Sequence, residues 1–219
     1  MSEFLTNLPI FFQAIWETIY IVLISMMVSG ILGLAIGVGL TVTRQGNVLA
    51  NRGVYAILNI VVNIVRPVPF VIFIAAVGPL TLAVVHTTIG NNAVIFALSL
   101  AAAFAVARIV EQNLITVDPG VIEAARAVGA GPWNIILTVL IPEGLGPLVL
   151  GYTFIFVGIV DMSAQAALIG GGGLGNFAIT YGYQRYNWPA VYITVAVIII
   201  IVQAGQFFGN WLARKALRR

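Results

Sequence analysis

The sequence contains very few charged residues. Of its 219 residues only 8% are charged and 61% are apolar, and the mean hydropathy is +1.07. A soluble globular domain carries about 25% charged residues, so this composition excludes a soluble protein with one large core. It indicates an integral membrane protein. The length suits a single membrane domain, residues 1–219, with about five spans of roughly 20 residues each.

Several kinds of reactive site are absent from the sequence. There is no cysteine, which excludes disulfides and thiolate metal sites, and the single histidine, His86, cannot form a histidine cluster. The one lysine, Lys215, follows Arg214, so no Gly-Lys-Ser/Thr phosphate-binding loop exists. No histidine pair, Ser-His-Asp set or pair of carboxylates within the apolar runs indicates an enzyme. We therefore expect no catalytic residue, no metal and no cofactor in this chain.

Uncharged runs predict five transmembrane helices, and each run is long enough for a hydrocarbon core of about 30 Å. Helices are expected because lipid offers an open chain no other way to satisfy its backbone. The second run is interrupted only by Arg66, and the fourth only by Asp161. The predicted spans are 18–43, 53–80, 89–107, 147–169 and 188–213.

Basic residues are concentrated on one predicted side of the membrane. The N-terminal segment and the second connection contain none, and the fourth connection contains only Arg185. The positive-inside rule therefore places the N-terminus outside and the C-terminus in the cytoplasm, and the net charge of +3 indicates orientation rather than nucleic-acid binding. The N-terminus lacks the basic region of a cleavable signal peptide. The basic residues on the predicted cytoplasmic side are Arg44, Arg52, Arg108, Arg126, Arg214, Lys215, Arg218 and Arg219.

A short polar segment between the third and fourth runs predicts a capped cytoplasmic helix at 118–130. Asp118 is a good N-cap, Pro119 suits the first helical position, and Gly129 can end the helix in the left-handed conformation. Interfacial helices carry basic residues and large apolar residues. This one carries mostly small residues, which suit a groove in another protein better than lipid. A second short helix is expected to follow, ending at Pro142.

The spacing within this segment resembles a known motif. "EAARAVG" at 123–129 is followed by nine residues and then "VLIP" at 139–142, and this pattern resembles the EAA motif of ABC-importer permeases. The resemblance implies that the helix is a coupling helix, which sits in a cleft of a separate ATPase subunit. The residues implied to couple to the ATPase are Glu123, Ala124, Ala125, Arg126 and Gly129.

Four further segments resemble the methionine-import permeases, the MetI-like family: "WET" at 16–18, "VNIVRPVPF" at 62–70, "ARIVEQNL" at 107–114 and "GGGGLGNFAITYGYQRYN" at 170–187. The resemblance implies an all-α membrane protein of the type I ABC-importer permease kind, with five transmembrane helices and the coupling helix. It implies a homodimer in the bacterial plasma (inner) membrane. The implied partners are two ATPase subunits, which bind ATP and Mg, and an extracytoplasmic substrate-binding protein, besides membrane lipid. No nucleic acid is expected.

Polar residues within the spans leave the cargo open. Arg66 and Asp161 lie at similar depths of roughly 20 Å, and mid-membrane charges are functional candidates by default. Arg66 could instead hold carbonyls freed by Pro67 and Pro69, or pair with Asp161. Asp161, Gln165 and Pro67 depart from the residues expected for the family. Because Asp161 and Gln165 lie on the span that the resemblance implies lines the pathway, the cargo could be methionine, another amino acid or a small polar solute. The candidate permeation residues are Arg66, Pro69, Asp161, Ser163 and Gln165.

Glycines predict two further features. Gly170, Gly171, Gly172 and Gly173 predict a non-helical turn at the outer mouth. Gly33 and Gly37 have GxxxG spacing, which favours close helix packing within the chain or self-association. Glu17 is interpreted as a first-turn carboxylate and His86 as a solvated loop residue.

A secondary transporter or a channel that needs no ATPase is the other functional class to consider. Five spans do not divide into two equal halves, as those of repeat transporters usually do. The sequence therefore favours an ABC permease.

Overall fold

The computed structural model describes residues 6–217, and every regular element in that range is helical. Arg218 and Arg219, which belong to the predicted basic tail, lie outside the described residues. The helices are α1 (Leu8–Thr43), α2 (Arg52–Val65), α3 (Phe70–Ala76), α4 (Gly78–Val85), α5 (Asn91–Leu114), α6 (Pro119–Ala127), α7 (Pro132–Asn134), α8 (Ile141–Glu143), α9 (Leu145–Ser163), α10 (Leu174–Phe177) and α11 (Trp188–Leu217). Short π-helical and 3₁₀-helical stretches occupy Ile135–Leu140, Ala164–Ile169, Ala178–Gly182 and Tyr183–Arg185.

Four helical segments of the described chain are long and apolar enough to cross a membrane. They are Leu8–Thr43, Asn91–Leu114, Leu145–Ile169 and Trp188–Ala216. A fifth is obtained if the broken pair α2 and α3 is one span. The prediction of an all-helical membrane protein is therefore confirmed, whereas the number of spans depends on that broken pair.

The second predicted span is not one continuous helix, and this prediction is corrected. Helix α2 begins after Asn51, whose side-chain oxygen accepts hydrogen bonds from the backbone N–H groups of Gly53 and Val54 at 3.1 Å. It ends at Val65, and α3 begins only at Phe70. The interruption coincides with Pro67 and Pro69, which lack an N–H group and disfavour helix in the residues before them.

Two of the predicted spans are shorter than the helices that the structure contains. Helix α1 begins at Leu8, ten residues before the predicted start, because its first turns bury Phe11 and Ala14 against Leu174 and Phe177. Helix α5 continues to Leu114 rather than ending near residue 107. Arg108 and Glu111, whose charges suggested a connection, thus lie inside α5.

The described chain forms two compact units. Unit 1 contains Met1–Val28, Val68–Ala102 and Phe156–Gln206, and unit 2 contains Ser29–Pro67, Ala103–Ile155 and Phe207–Arg219. One apolar cluster of unit 1 joins α1, α10 and the start of α11 through residues such as Phe11, Phe177 and Ala190. One cluster of unit 2 joins α1, α2 and α5 through Leu40, Val62 and Ala107.

In unit 2 the GxxxG pair packs α1 closely against α5. A Cβ atom at Gly33 would lie 2.8 Å from the carbonyl oxygen of Ala103, and one at Gly37 would lie 2.6 Å from that of Ala107. Such contacts are closer than a carbon and an oxygen approach, so only glycine fits. The predicted packing within the chain is confirmed. Because α5 occupies this face, it is not the face through which a second copy would bind.

Candidate functional site

Helix α6 forms as its sequence predicts, with a polar cap at its start. The Asp118 carboxylate accepts a hydrogen bond from the backbone N–H of Gly120 at 2.8 Å, and Pro119 occupies the first helical turn. An aspartate N-cap satisfies an amide that has no partner inside the helix. The helix spans nine residues, Pro119–Ala127, within the predicted segment 118–130.

The end of α6 is fixed by Gly129. This residue has a φ of +83°, the N–H of Gly129 donates to the Arg126 carbonyl at 2.9 Å, and the N–H of Ala130 donates to the Ala125 carbonyl at 3.1 Å. This pair of bonds is the Schellman motif, in which glycine supplies the left-handed residue after the helix. The direction in which the chain leaves α6 is therefore set by the backbone of one residue.

The surface of α6 is open. None of its residues is buried, and apolar side chains stand exposed on it and beyond it: Val128 is 85% exposed and Trp133 is 68% exposed. On another side, Pro119, Ile122, Glu123 and Arg126 border a cleft of ≈ 210 Å³ whose opposite wall is the turn 44–47. A nine-residue helix is too short to be stable in water without tertiary packing. Its exposed face has the character of a surface that another protein covers.

The segment that follows α6 is buried more deeply than α6 itself. Helix α7 continues through the π-helical residues Ile135–Leu140 into α8, and Ile135, Ile136 and Leu140 are fully buried. These residues include part of the apolar end of the EAA-like motif. The predicted second short helix is confirmed, with a π-helical centre that the sequence did not indicate. The buried side chains anchor the segment after α6 to unit 2.

The candidate permeation residues are divided between the two units. Arg66 is the C-cap of α2 in unit 2, where its side chain is exposed and donates no hydrogen bond within residues 6–217. It therefore does not hold the carbonyls freed by the prolines, as one interpretation proposed. Pro69 precedes α3, and its carbonyl accepts the N–H groups of Ile72 and Phe73 at 2.9 Å. A shared pathway, and the pairing of Arg66 with Asp161, stay predictions.

The remaining candidate permeation residues lie where α9 changes into a 3₁₀ segment in unit 1. The Asp161 side chain is exposed, whereas Ser163 is buried and donates its hydroxyl to the Val160 carbonyl at 2.7 Å. Gln165 carries a buried Oε1 atom that accepts no hydrogen bond from any described residue. A buried acceptor without a donor needs an explanation such as a bound water or a ligand.

The glycine run forms the predicted non-helical turn in unit 1. Gly170 and Gly173 have φ values of +68° and +96°. The backbone N–H groups of Gly172, Gly173 and Leu174 donate to side chains of Asn91, Glu17 and Thr18 at 2.7, 2.9 and 2.7 Å. The turn borders a recess of ≈ 670 Å³ that is also lined by Gln13, Asn92 and Asn176. The location of the turn at the outer mouth stays a prediction.

The interpretation of Glu17 as a first-turn carboxylate is wrong. Glu17 is the tenth residue of α1, and it accepts hydrogen bonds from the Gly173 N–H and from the Gln13 amide, both at 2.9 Å. A side chain at Gly172 would overlap its carboxylate. Two features of the sequence could have indicated this contact. One is an acidic residue within an apolar run, and the other is a distant glycine run whose backbone amides need hydrogen-bond acceptors. The exposed position expected for His86 is confirmed.

Sequence reasoning also missed a polar network in unit 2. Glu111 is 2% exposed and forms an ion pair with Arg108, whose guanidinium also donates to Asn59 and Asn63 on α2. Asn59, Asn63 and Arg66 recur at helical spacing, which could have indicated a polar stripe on α2. Within residues 6–217 no group of three or more His, Cys, Asp or Glu side chains could hold a metal ion.

The sequence is similar to a described family. Residues 32–219 match the family model for the binding-protein-dependent transport system inner membrane component. The probable D-methionine transport system permease protein MetI of Vibrio cholerae is 39% identical over 216 residues, which cover 99% of this chain and 96% of that protein. The methionine import system permease protein MetP of Bacillus subtilis is 40% identical over 171 residues, which cover 78% of this chain and 77% of that protein.

Solved structures show the same fold. A chain from a crystal form of the MetNI methionine ABC transporter in inward-facing conformations matches with a TM-score of 0.93 and 36% identity, covering 96% of this chain and 98% of the other. An amino acid ABC transporter crystallised with histidines matches with a TM-score of 0.79 at 18% identity, covering 97% of this chain and 96% of the other, which shows a shared fold alone.

Proposed function

Because the chain belongs to the family of binding-protein-dependent transport system inner membrane components, we propose that it is the membrane-spanning permease of an ATP-driven ABC importer that takes up methionine. The observation that carries this proposal is helix α6. It is capped at both ends, buries no residue, and exposes small and apolar side chains. A helix of this kind needs a partner surface, and an ATPase subunit with a cleft for it supplies that surface.

In this account α6, within 118–130, is the coupling helix of a single permease domain that comprises residues 1–219. The small Ala124 and Ala125 allow close approach to the cleft, and Glu123 and Arg126 orient the helix through their charges. Gly129 sets the chain direction after it. The ATPase binds ATP and Mg, so this chain itself carries out no hydrolysis.

The complete importer contains two copies of this permease, two ATPase subunits and an extracytoplasmic substrate-binding protein. Helix α11 supports the presence of a second copy or of lipid around the chain, because only 6% of its most apolar window is buried. The binding protein delivers methionine, which the permease conducts past Arg66, Pro69, Asp161, Ser163 and Gln165. The names of the relatives support methionine as cargo.

A second cargo class is supported by one observation. The buried Oε1 of Gln165 lacks a hydrogen-bond donor, and Asp161 is exposed near the same helix end. A more polar amino acid or another small polar solute could supply a donor to such groups. The affinity of the partner binding protein, measured against a panel of amino acids, distinguishes this alternative from methionine.

Association with an ATPase tests the proposed class most simply. We expect the tagged permease, expressed with the ATPase subunit of its own transport system, to be purified as a complex with two copies of each chain. The Glu123→Lys variant should insert equally well but retain less ATPase, because it reverses a charge on the docking surface. A permease that is purified without any ATPase, and transports without one, would indicate a channel or secondary transporter.

Orientation is a second testable expectation. Of the eight Lys and Arg residues within 6–217, seven lie in unit 2 and only Arg185 lies in unit 1. Under the positive-inside rule the basic connections and the C-terminus are expected in the cytoplasm, with the N-terminus outside. In the cysteine-free chain, Thr88→Cys should react with an impermeant maleimide added to intact cells. Gln45→Cys should react only after permeabilisation, and the reverse pattern would overturn the orientation.

A further inference from the structure

The Arg108–Glu111 network fastens α2 to the last turns of α5. Arg108 donates through Nη1 to the carboxylate of Glu111 and through Nη2 to Asn59 Oδ1 at 2.8 Å and to Asn63 Oδ1. Asn63 donates its own amide to Asn59 at 3.0 Å, and the Tyr55 hydroxyl lies 3.4 Å from Glu111 Oε1. The planar guanidinium thus joins one carboxylate on α5 to two amides on α2, a geometry that suits arginine rather than lysine.

The network lies directly before α6. Glu111 is three residues from the end of α5. The following backbone N–H groups of Ile115, Thr116 and Val117 all donate back to α5 carbonyls, at 3.0, 3.3 and 3.3 Å. The N-cap of α6 is the next residue. No flexible linker therefore separates α6 from the network, and a displacement of α6 must act on the end of α5.

The opposite side of the same α5 turns is held by α9. Asn113 donates its side-chain amide to the Pro147 carbonyl at 3.0 Å. A Cβ at Gly151 would lie 2.6 Å from Asn113 Nδ2, and one at Gly144 would lie 2.6 Å from Leu114 Cδ2. The contact with α9 thus combines a side-chain hydrogen bond with close packing of glycines against α5. The contact with α2 combines apolar packing of Val62 with the hydrogen bonds from Arg108 to Asn59 and Asn63. The polar part of the contact with α2 can be weakened by changing one exposed side chain, Asn63, while the apolar packing of Val62 remains.

We propose that Arg108, Asn59 and Asn63, with Glu111 fixing the guanidinium, form a joint that makes α2 move together with α6. These are positioning residues for ATP-driven import, and the inference rests on the proposed function. A buried carboxylate and a partly buried guanidinium are costly to place in a membrane helix, and such groups persist where they have a role. The joint provides such a role for Arg108 and Glu111. It transfers a displacement of α6 to α2, a helix that does not adjoin α6 along the chain.

The test compares two variants at Asn63, which is exposed and so tolerates replacement. Asn63→Leu removes one of the two oxygens on α2 that accept from Arg108 and leaves only that of Asn59, whereas Asn63→Asp keeps an acceptor oxygen at both positions. Permease, ATPase and binding protein are reconstituted in proteoliposomes, and methionine uptake and ATP hydrolysis are measured in the same sample. We expect Asn63→Leu to lower the methionine imported per ATP hydrolysed by roughly twofold to thirtyfold, the range found for residues that couple distant sites. Asn63→Asp should restore the ratio to near the wild-type value.

Ile64→Leu is the matched control, because Ile64 is 66% exposed on α2 and takes no part in the network. The Ile64→Leu variant should import as much methionine per ATP hydrolysed as the wild type. An unchanged ratio in Asn63→Leu, or an equal loss of uptake and hydrolysis as in simple misfolding, would overturn the joint while leaving the proposed function standing. A loss in Asn63→Asp as large as in Asn63→Leu would also overturn it. A wild-type complex that imports no methionine would contradict both the joint and the proposed function.

Discussion

Replacement of Gly129 by leucine is expected to remove most of the affinity of the permease for its ATPase subunit while the membrane domain stays folded. Gly129 has a φ of +83°, and nothing lies within 4 Å of the position that its Cβ would occupy. The effect is therefore one of backbone conformation and not of a local clash. A left-handed conformation costs a residue with a side chain about 1–2 kcal/mol. If the helix end rearranges to avoid that cost, the docking surface changes shape.

The expected magnitude follows from the same free energy. One or two kcal/mol corresponds to roughly a 5- to 30-fold change in an equilibrium constant, and affinity for the ATPase, measured by titration in detergent, should fall by about that factor. Gly131→Leu is the matched control, because Gly131 also has open space around its Cβ but a φ of −69°. Equal affinities of the two leucine variants would contradict the assignment of Gly129 as the fixed end of the coupling helix.

Replacement of Gly37 by alanine is expected to destabilise the permease itself. The added methyl would lie 2.6 Å from the Ala107 carbonyl oxygen and would also meet Val110 of α5, so α1 and α5 must separate. Overpacking of a close contact costs about 1–3 kcal/mol. For a chain of this size the midpoint of thermal unfolding should fall by roughly 2–12 °C. The readout is the unfolding temperature of purified protein in detergent.

Gly39 offers the control two residues away on the same helix. A Cβ there would approach only Leu58 Cδ1, at 3.4 Å, which is an ordinary contact with a flexible side chain. Gly39→Ala should therefore leave the unfolding temperature within about one degree of the wild type, as surface-like changes usually do. If Gly37→Ala and Gly39→Ala unfold at the same temperature, the close packing of α1 on α5 is wrong.

The presence of the capped helix α6 could be predicted from sequence because its determinants are local. Asp118, Pro119 and Gly129 each act within one helical turn, and the structure places all three in the expected roles. The all-helical membrane fold was equally accessible from composition. The break of the second span was harder to predict from the sequence, because Pro67 and Pro69 are compatible with either a kink within a membrane helix or the end of that helix.

The polar network and the role of Glu17 could not be derived from local patterns. Arg108 and Glu111 resemble the charges of a connection until Asn59 and Asn63, about fifty residues earlier, are seen to receive the guanidinium. Glu17 lies 156 residues from Gly173, whose N–H it accepts. Charged side chains whose polar partners lie so far away in the sequence can stay inside a long apolar helix, where the local pattern suggests that the helix has ended.

ATP-driven uptake of methionine tests the central claim most directly. Wild-type permease is reconstituted in proteoliposomes with its ATPase and binding protein, and radiolabelled methionine is supplied on the binding-protein side with ATP on the ATPase side. We expect methionine to accumulate against its gradient only when ATP and binding protein are both present, with little competition from other amino acids. Accumulation that persists without ATP, or a complex that hydrolyses ATP and imports a different solute while excluding methionine, would contradict the account.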